Sequence, residues 1–500
     1  IMLGTKGERG WSSGLNGQEM FSMFQAKVGY NRAFGLHRVK GEVVYQQQCS
    51  VPDGRNSTRK NQSVMGVASY QYADRYSVDG VLNYSGSAVL TEGKQFNVYP
   101  AIGLGWTVSN EDFLKNHSVI SYLKVNASLG LSGSDLFGHD LDRQSFGVTG
   151  GNYWFGSGNT QVTGLKEGTL AVTHLLAEKS RKFDLGVDMA LWNKLYVSAT
   201  YFNERRSNIL VDGSPVVSSV IGIGVPQLCE GIVKNQGVEL SLDFADKIGK
   251  FGYKVSGNFT YAKNKIINNN EGFKTEDYLY KKGQSLNQYY GLQSDGFFNT
   301  VDEINNSEIY QSFGELKPGD VRYVDQNGDK IVNEDDVVRL GYAVLPEIYY
   351  GFNVELSYEG FGLMANFQGV ANRNIYLNTA NVFVPLKNNT NISTWYLEEN
   401  TRWTPETMET ATLPRLTSED NPNNYQKSDI WMANGSYLKL RDLELSYTVN
   451  KNVLRKCGLK VFVRGTNLFS LDKLGYSDPE NYGIAYPTMR SYTAGFNLIF

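Results

Sequence analysis

The sequence predicts an all-β chain, a transmembrane antiparallel β-barrel of which about fifteen strands are present. Three observations predict it. Apolar residues recur at every second position in segment after segment, which places them on one face of a strand. Many segments hold the alternation for about nine to eleven residues, the length a tilted strand needs to cross a bilayer, where soluble strands usually run to about five or six. The links alternate short and long, so one rim carries turns and the other large loops.

The segments follow in order. Met20–Tyr30 and Val39–Gln48 are joined through a polar turn at Asn31 and Arg32. A longer link with Pro52, Asp53 and Gly54 leads to Ser63–Tyr72, and the tight turn Ala73-Asp74-Arg75 leads to Tyr76–Ser85. Asn97–Val108 sets Val98, Ile102, Leu104, Trp106 and Val108 against Ala101, Gly103, Gly105 and Thr107. The next strand carries Leu123, Val125, Ala127, Leu129 and Leu131. After a long Gly-rich stretch, Phe183–Leu191 turns at Trp192-Asn193-Lys194 into Leu195–Asn203. The clearest pair is Gly237–Phe244 with Tyr253–Tyr261. A very long excursion precedes Ile348–Tyr358, which turns at Glu359-Gly360 into Phe361–Phe367. In the strand Leu438–Tyr447 the apolar parity changes at Arg441-Asp442, which predicts a β-bulge. Leu459–Asn467 and Ser491–Phe500 complete the series. The last strand ends on the short-turn rim and runs in the same direction as the first. The strand number is therefore odd, whereas bacterial single-chain barrels have even numbers, and the expectation is that further strands lie upstream.

Composition fits this reading. Aromatic residues make up 13% of the chain, with 32 Tyr, and there are 52 Gly, which suits aromatic girdles around a crowded lumen. The net charge of −3 is spread over both signs, so no basic field exists to hold nucleic acid. Mean hydropathy is −0.36 and no long apolar run exists, which excludes a membrane-spanning helix but not a barrel. Cys49, Cys229 and Cys457 have neither disulfide nor metal spacing. Glu239, Asp243 and Glu355 fall on the polar parity, where they line a wet lumen, and nothing brings two of them together as an acid–base pair. With no catalytic motif present, an enzyme is rejected.

Three sets of residues stand out. The first is the run Asp325 to Asp336, in which Asp325, Asn327, Asp329, the Ile331 carbonyl and Asp336 match the oxygen spacing of a calcium loop. No cofactor is required, and a Ca²⁺ there would stiffen an extracellular loop rather than catalyse. The second is the aromatic residues of the long loops, Trp154, Tyr289, Tyr290, Phe297, Trp395 and Trp403, whose flat rings suit stacking on sugars or contact with a partner. The third is the closing strand, where Tyr492, Phe496 and Phe500 share a face that meets outer-membrane lipid and carries a signal for the barrel-assembly machinery.

The blocks N-G-S-Y-L-K-L-R-D-L-E-L-S-Y-T at 434–448, V-F-V-R-G-T-N-L-F-S-L at 461–471, D-P-E at 478–480 and the closing Y-P-T-M-R-S-Y-T-A-G-F-N-L-I-F come in an order that resembles the C-terminal end of the SusC/RagA family of TonB-dependent outer-membrane transporters. K-N-Q-G-V-E-L-S-L at 234–242 and P-G-D-V-R-Y-V-D-Q-N-G-D at 318–329 extend the resemblance upstream, and it is strongest from about Glu178 onward. The resemblance implies a barrel of about 22 strands with an N-terminal plug. Residues 1–500 are then the C-terminal part of the barrel, without the plug and first strands. It also implies a SusD-like surface lipoprotein as partner, coupling to the TonB complex through the upstream region, and oligosaccharide or peptide as cargo. The family often has Gly where Lys330 stands, which weakens the calcium-loop match. The alternative function is a secreted or surface all-β glycan-binding protein or adhesin without transport.

Overall fold

A computed structural model describes residues 19–52, 58–115, 117–148, 151–216, 218–379, 382–386, 391–398, 401–449, 458–474, 477–480 and 487–499. Phe500 and Cys457 lie outside the described residues. Fifteen strands follow one another in chain order in one antiparallel sheet. They are β1 (Met20–Phe34), β2 (His37–Val51), β3 (Arg59–Tyr72), β4 (Tyr76–Ser87), β5 (Phe96–Thr107), β6 (Ile120–Ser134), β7 (Glu178–Leu191), β8 (Leu195–Val211), β9 (Leu228–Ile248), β10 (Phe251–Asn268), β11 (Ile348–Tyr358), β12 (Phe361–Ala371), β13 (Tyr437–Val449), β14 (Gly458–Asp472) and β15 (Ser491–Ile499). Each corresponds to a segment read from the alternation. Several run further than the sequence implied: β9 spans 21 residues and β10 spans 18, because their pairing continues past the apolar stretch on the long-loop side. The expected bulge is present. Arg441 is skipped in the register of β13 with both β12 and β14.

The chain divides into two compact units. The first comprises Ile1–Leu104, Ser128–Arg181 and Arg206–Glu230. Its strands show the membrane face most plainly. On β3, Val64 and Tyr70 are exposed, and their parity turns polar at Gln62 and Lys60. Two aromatic bands bound this face. Phe24 meets Tyr45, and Tyr84 stacks on Phe96, toward the long-loop side. At the short-turn side His37 packs on Tyr72, and its Nδ1 lies 2.8 Å from the Tyr70 hydroxyl. Tyr45 and His37 lie eight residues apart on β2. At ~3.4 Å per residue and a tilt of ~40°, that is about 21 Å along the membrane normal, close to the ~25 Å apolar band of outer-membrane barrels.

The second unit comprises Gly105–Ala127, Lys182–Arg205 and Gly231–Phe500. Its wall repeats the pattern, with Val238, Leu242, Val255, Phe259 and Leu363 exposed on the apolar parity. Lys194 pairs with Asp246 and Lys254 faces Glu355. Glu444 pairs with both Lys460 and Arg464. Above this wall the long loops 269–347 and 372–436 carry compact cores of their own. One contains Leu292, Val321, Tyr323 and Val332, and the other Ile375, Leu377, Val382, Tyr396, Leu413 and Trp431, joined by Leu474 from beyond β14.

Candidate functional site

The two long loops are fastened by a buried polar cluster. Asp320 is fully buried and receives Arg415 through Nε at 2.7 Å and Nη2 at 3.3 Å. The side-chain amides of Asn421 and Asn424 donate to the same carboxylate at 2.8 and 2.9 Å. Gln311 donates to Asn423, and the Tyr323 hydroxyl donates to the Asn423 carbonyl. The Trp431 indole donates to the Asn424 carbonyl. Burying this much polarity is tolerable only because every member is paired. A second cluster ties the final long loop to β13. Lys439, almost fully buried, reaches Asp478 at 2.6 Å and Glu480 at 2.9 Å, while the Tyr437 hydroxyl and Arg441 also bond Glu480. Burial pushes the Glu480 carboxyl up, but the Arg441, Lys439 and Tyr437 bonds outweigh it and hold the pKa at about 2.

The predicted aromatic residues divide by position. Trp154 lies on an exposed hairpin, Asn152–Phe155 with Thr160–Thr163, with 63% of its surface open. Phe297 packs against the first loop core and Trp395 against the second. Trp403 is buried, and its indole donates to Asn299 at 2.9 Å. Trp403 thus lies in the loop interior, while Phe297 and Trp395 are half-buried and pack against the cores that these long excursions need. Tyr289 and Tyr290 differ. They line a cleft of about 410 Å³ at the base of the loops. The ribbon Tyr289–Gly291 pairs with Val338–Leu340, and Asn374–Tyr376 pairs with Met432–Asn434. Tyr289 and Tyr376 both line it and stack on one another with ring centroids 6.0 Å apart. Burial raises the Tyr289 and Tyr290 hydroxyl pKa values, and that of Tyr376 to about 12.

The loop 325–336 keeps its oxygens for its own backbone. Asp325 accepts from the Gly328 and Lys330 amides at 2.7 and 2.8 Å. Asp329 accepts from Ile331 at 2.7 Å and Asn327 from Asp329 at 2.9 Å. Asp336 is fully buried and accepts from Gln326 and Asn333. Lys330 adopts a left-handed conformation with φ of 67°, which explains why glycine suits that position in similar loops. Among the described residues no group of three or more His, Cys, Asp or Glu side chains is gathered to hold a metal ion.

Tyr492 and Phe496 stand exposed on one face of β15, as the alternation requires, while Phe500 falls outside the described residues. Sequence reading missed Tyr376, Lys281 and Lys427 at the cleft, and Asp320 and Arg415 in the cluster. Their partners lie far away in sequence, so no local spacing marks them. The run Asn421-Pro422-Asn423-Asn424 was the one available signal.

The family model for the TonB dependent receptor-like β-barrel matches residues 5–468. The chain belongs to that family. The family consists of receptors, not enzymes, and resides in the outer membrane. Among the described residues no helix is long and apolar enough to cross a membrane, so crossing falls to the strands. The protein is of the SusC/RagA type. TonB-dependent receptor P26 of Formosa agariphila is 26% identical over 470 residues, which cover 88% of this chain and 46% of that protein. TonB-dependent receptor SusC of Bacteroides thetaiotaomicron is 23% identical over 454 residues, 88% and 43% respectively. The chain thus spans about half the length of the curated relatives it matches. The structure of the RagAB peptide transporter shares the fold with a TM-score of 0.76 at 18% identity, covering 96% of this chain and 56% of that one. The RagAB peptide importer in its open-open state gives 0.77 at 19% identity, covering 96% and 55%.

Proposed function

We propose that this chain forms wall and extracellular cap of a TonB-dependent importer that carries oligosaccharide, or else peptide, across the outer membrane. A SusD-like surface lipoprotein closes over the cap, the TonB complex supplies energy through a region upstream of these residues, and the barrel-assembly machinery inserts the protein. One observation carries the reading. In one unit an apolar strand face is bounded by aromatic bands, and in the other an apolar-faced wall carries two co-folded loops with an open aromatic cleft. A secreted glycan-binding protein has no use for so much exposed apolar wall. The test is uptake of fluorescent oligosaccharides and peptides by cells with and without the gene, before and after a protonophore. Uptake lost on deletion and on collapse of the proton-motive force supports the proposal. Uptake of every probe unchanged by deletion overturns it.

A further inference from the structure

The cleft at the loop base has a charge character that the importer reading does not demand. Lys281 and Lys427 line it, both exposed, and neither forms an ion pair among the described residues. Arg373 and Arg339 lie near enough to act on the Tyr289 and Tyr290 hydroxyls. Their guanidinium groups bond neutral oxygens: Arg373 bonds the Val344 and Pro479 carbonyls, and Arg339 bonds the Gln284 amide. Against these four cations stands Glu271, whose two oxygens accept the Lys281 and Lys282 backbone amides. The charged side chains that line the cleft are thus both cationic, although the chain as a whole carries a net charge of −3.

The walls add stacking surfaces and one uncommitted polar group. The Tyr376 hydroxyl oxygen is buried beside the Ser428 backbone yet makes no hydrogen bond of good geometry. A buried polar atom left so is rare in folded proteins and calls for a partner. Gln288 is spent on the Leu340 and Gly341 carbonyls, which fixes the neighbouring Tyr289. Ile266, at the floor, has the parity of Lys254, Ser256 and Asn258 on β10, so the cleft opens on the polar face of the wall.

We infer that this cleft binds a carboxylate-bearing unit of the cargo, with its body against Tyr289 and Tyr376 and its carboxylate toward Lys281 and Lys427. The inference rests on the importer reading and narrows its cargo to an acidic class. The carboxylate is that of a uronate sugar or of an acidic peptide, and the probes separate the two.

The experiment uses the full-length protein purified in detergent, titrated calorimetrically with trigalacturonate, triglutamate and, as a neutral control, a trisaccharide of galactose. One acidic probe is expected to bind, and K281M/K427M weakens it by about tenfold, as expected for losing charge-assisted contacts at exposed lysines. Tyr376→Phe, which leaves the ring in place, weakens the same probe and serves should the double variant fold poorly. Binding of trigalacturonate alone assigns the carboxylate to sugar, and of triglutamate alone to peptide. The inference is overturned if neither acidic probe binds, if the galactose control binds as tightly, or if the variants leave affinity unchanged. Energy-dependent uptake of the probe together with an unchanged affinity in K281M/K427M would show the importer reading standing while the cleft assignment falls.

Discussion

Replacing Asp320 by alanine should loosen both long loops together. The carboxylate is fully buried and holds Arg415, Asn421, Asn424 and the Lys317 amide, the last at 2.8 Å. Removing one member of a buried ion pair costs about 3–5 kcal/mol, because its partner is left charged without compensation. Arg415 keeps 18% of its side chain exposed and can turn toward water, which argues for the lower end, about 3 kcal/mol. At ~1.4 kcal/mol per factor of ten, that is an increase of about a hundredfold in the opening equilibrium. Amide hydrogen exchange on the full-length protein reads this equilibrium locally. The expected result is faster exchange in 269–347 and in 372–436, by similar factors, with the wall strands unchanged. Acceleration confined to 269–347, the loop that contains Asp320, would refute the claim that the buried polar cluster fastens the two loops to each other.

Other perturbations separate wall, clasp and closing strand. Glu480 has a folded-state pKa of about 2, below its ordinary 4.5, so its contribution is present above pH ~4.5 and lost as pH falls toward ~2. Exchange in the described residues 477–480 should rise across that window, and a flat profile would count against the clasp. Leu82 stands exposed in mid-β4, and Leu82→Arg should cost about 2–4 kcal/mol in the bilayer, whereas Ser69→Arg on the opposite face of β3 should cost little. Urea unfolding in lipid vesicles measures both, and equal costs would contradict the assignment of faces. Asp336→Asn puts a donor where an acceptor is needed, leaving a backbone amide unpaired at about 1–3 kcal/mol. Faster exchange across 325–336 checks it. Deleting Phe500 from the full-length protein should lower outer-membrane insertion, read by membrane fractionation, and unchanged insertion would remove the terminal signal.

The wall was legible because its physics is local. A strand with lipid on one side and water on the other must alternate, so Val98, Ile102 and Leu104 announce β5 without reference to any neighbour. Even the bulge at Arg441 shows as a change of parity within one strand. The loops were not legible for the converse reason. Trp403 and Trp154 look alike in sequence, yet one is buried against Asn299 and the other faces solvent. Asp325 to Asp336 has the oxygen spacing of a ligand set, and only the folded loop shows that these oxygens also accept backbone amides.

The same contrast bears on where specificity resides. The wall must satisfy the bilayer, which leaves its outward face little freedom, and the clasp at Lys439 and the cluster at Asp320 hold the loops through buried, fully paired charges. The cleft lined by Tyr289 and Tyr376 is less completely closed. Its lysines lack ion-pair partners among the described residues, and its Tyr376 hydroxyl is buried without a bond. A fold that pairs Asp320, Lys439 and Glu480 so completely has the means to pair these groups as well. Groups left open beside groups so thoroughly closed are where a ligand completes the structure, and variation at Lys281, Lys427 and Tyr376 should alter which cargo is taken while leaving wall and clasp intact.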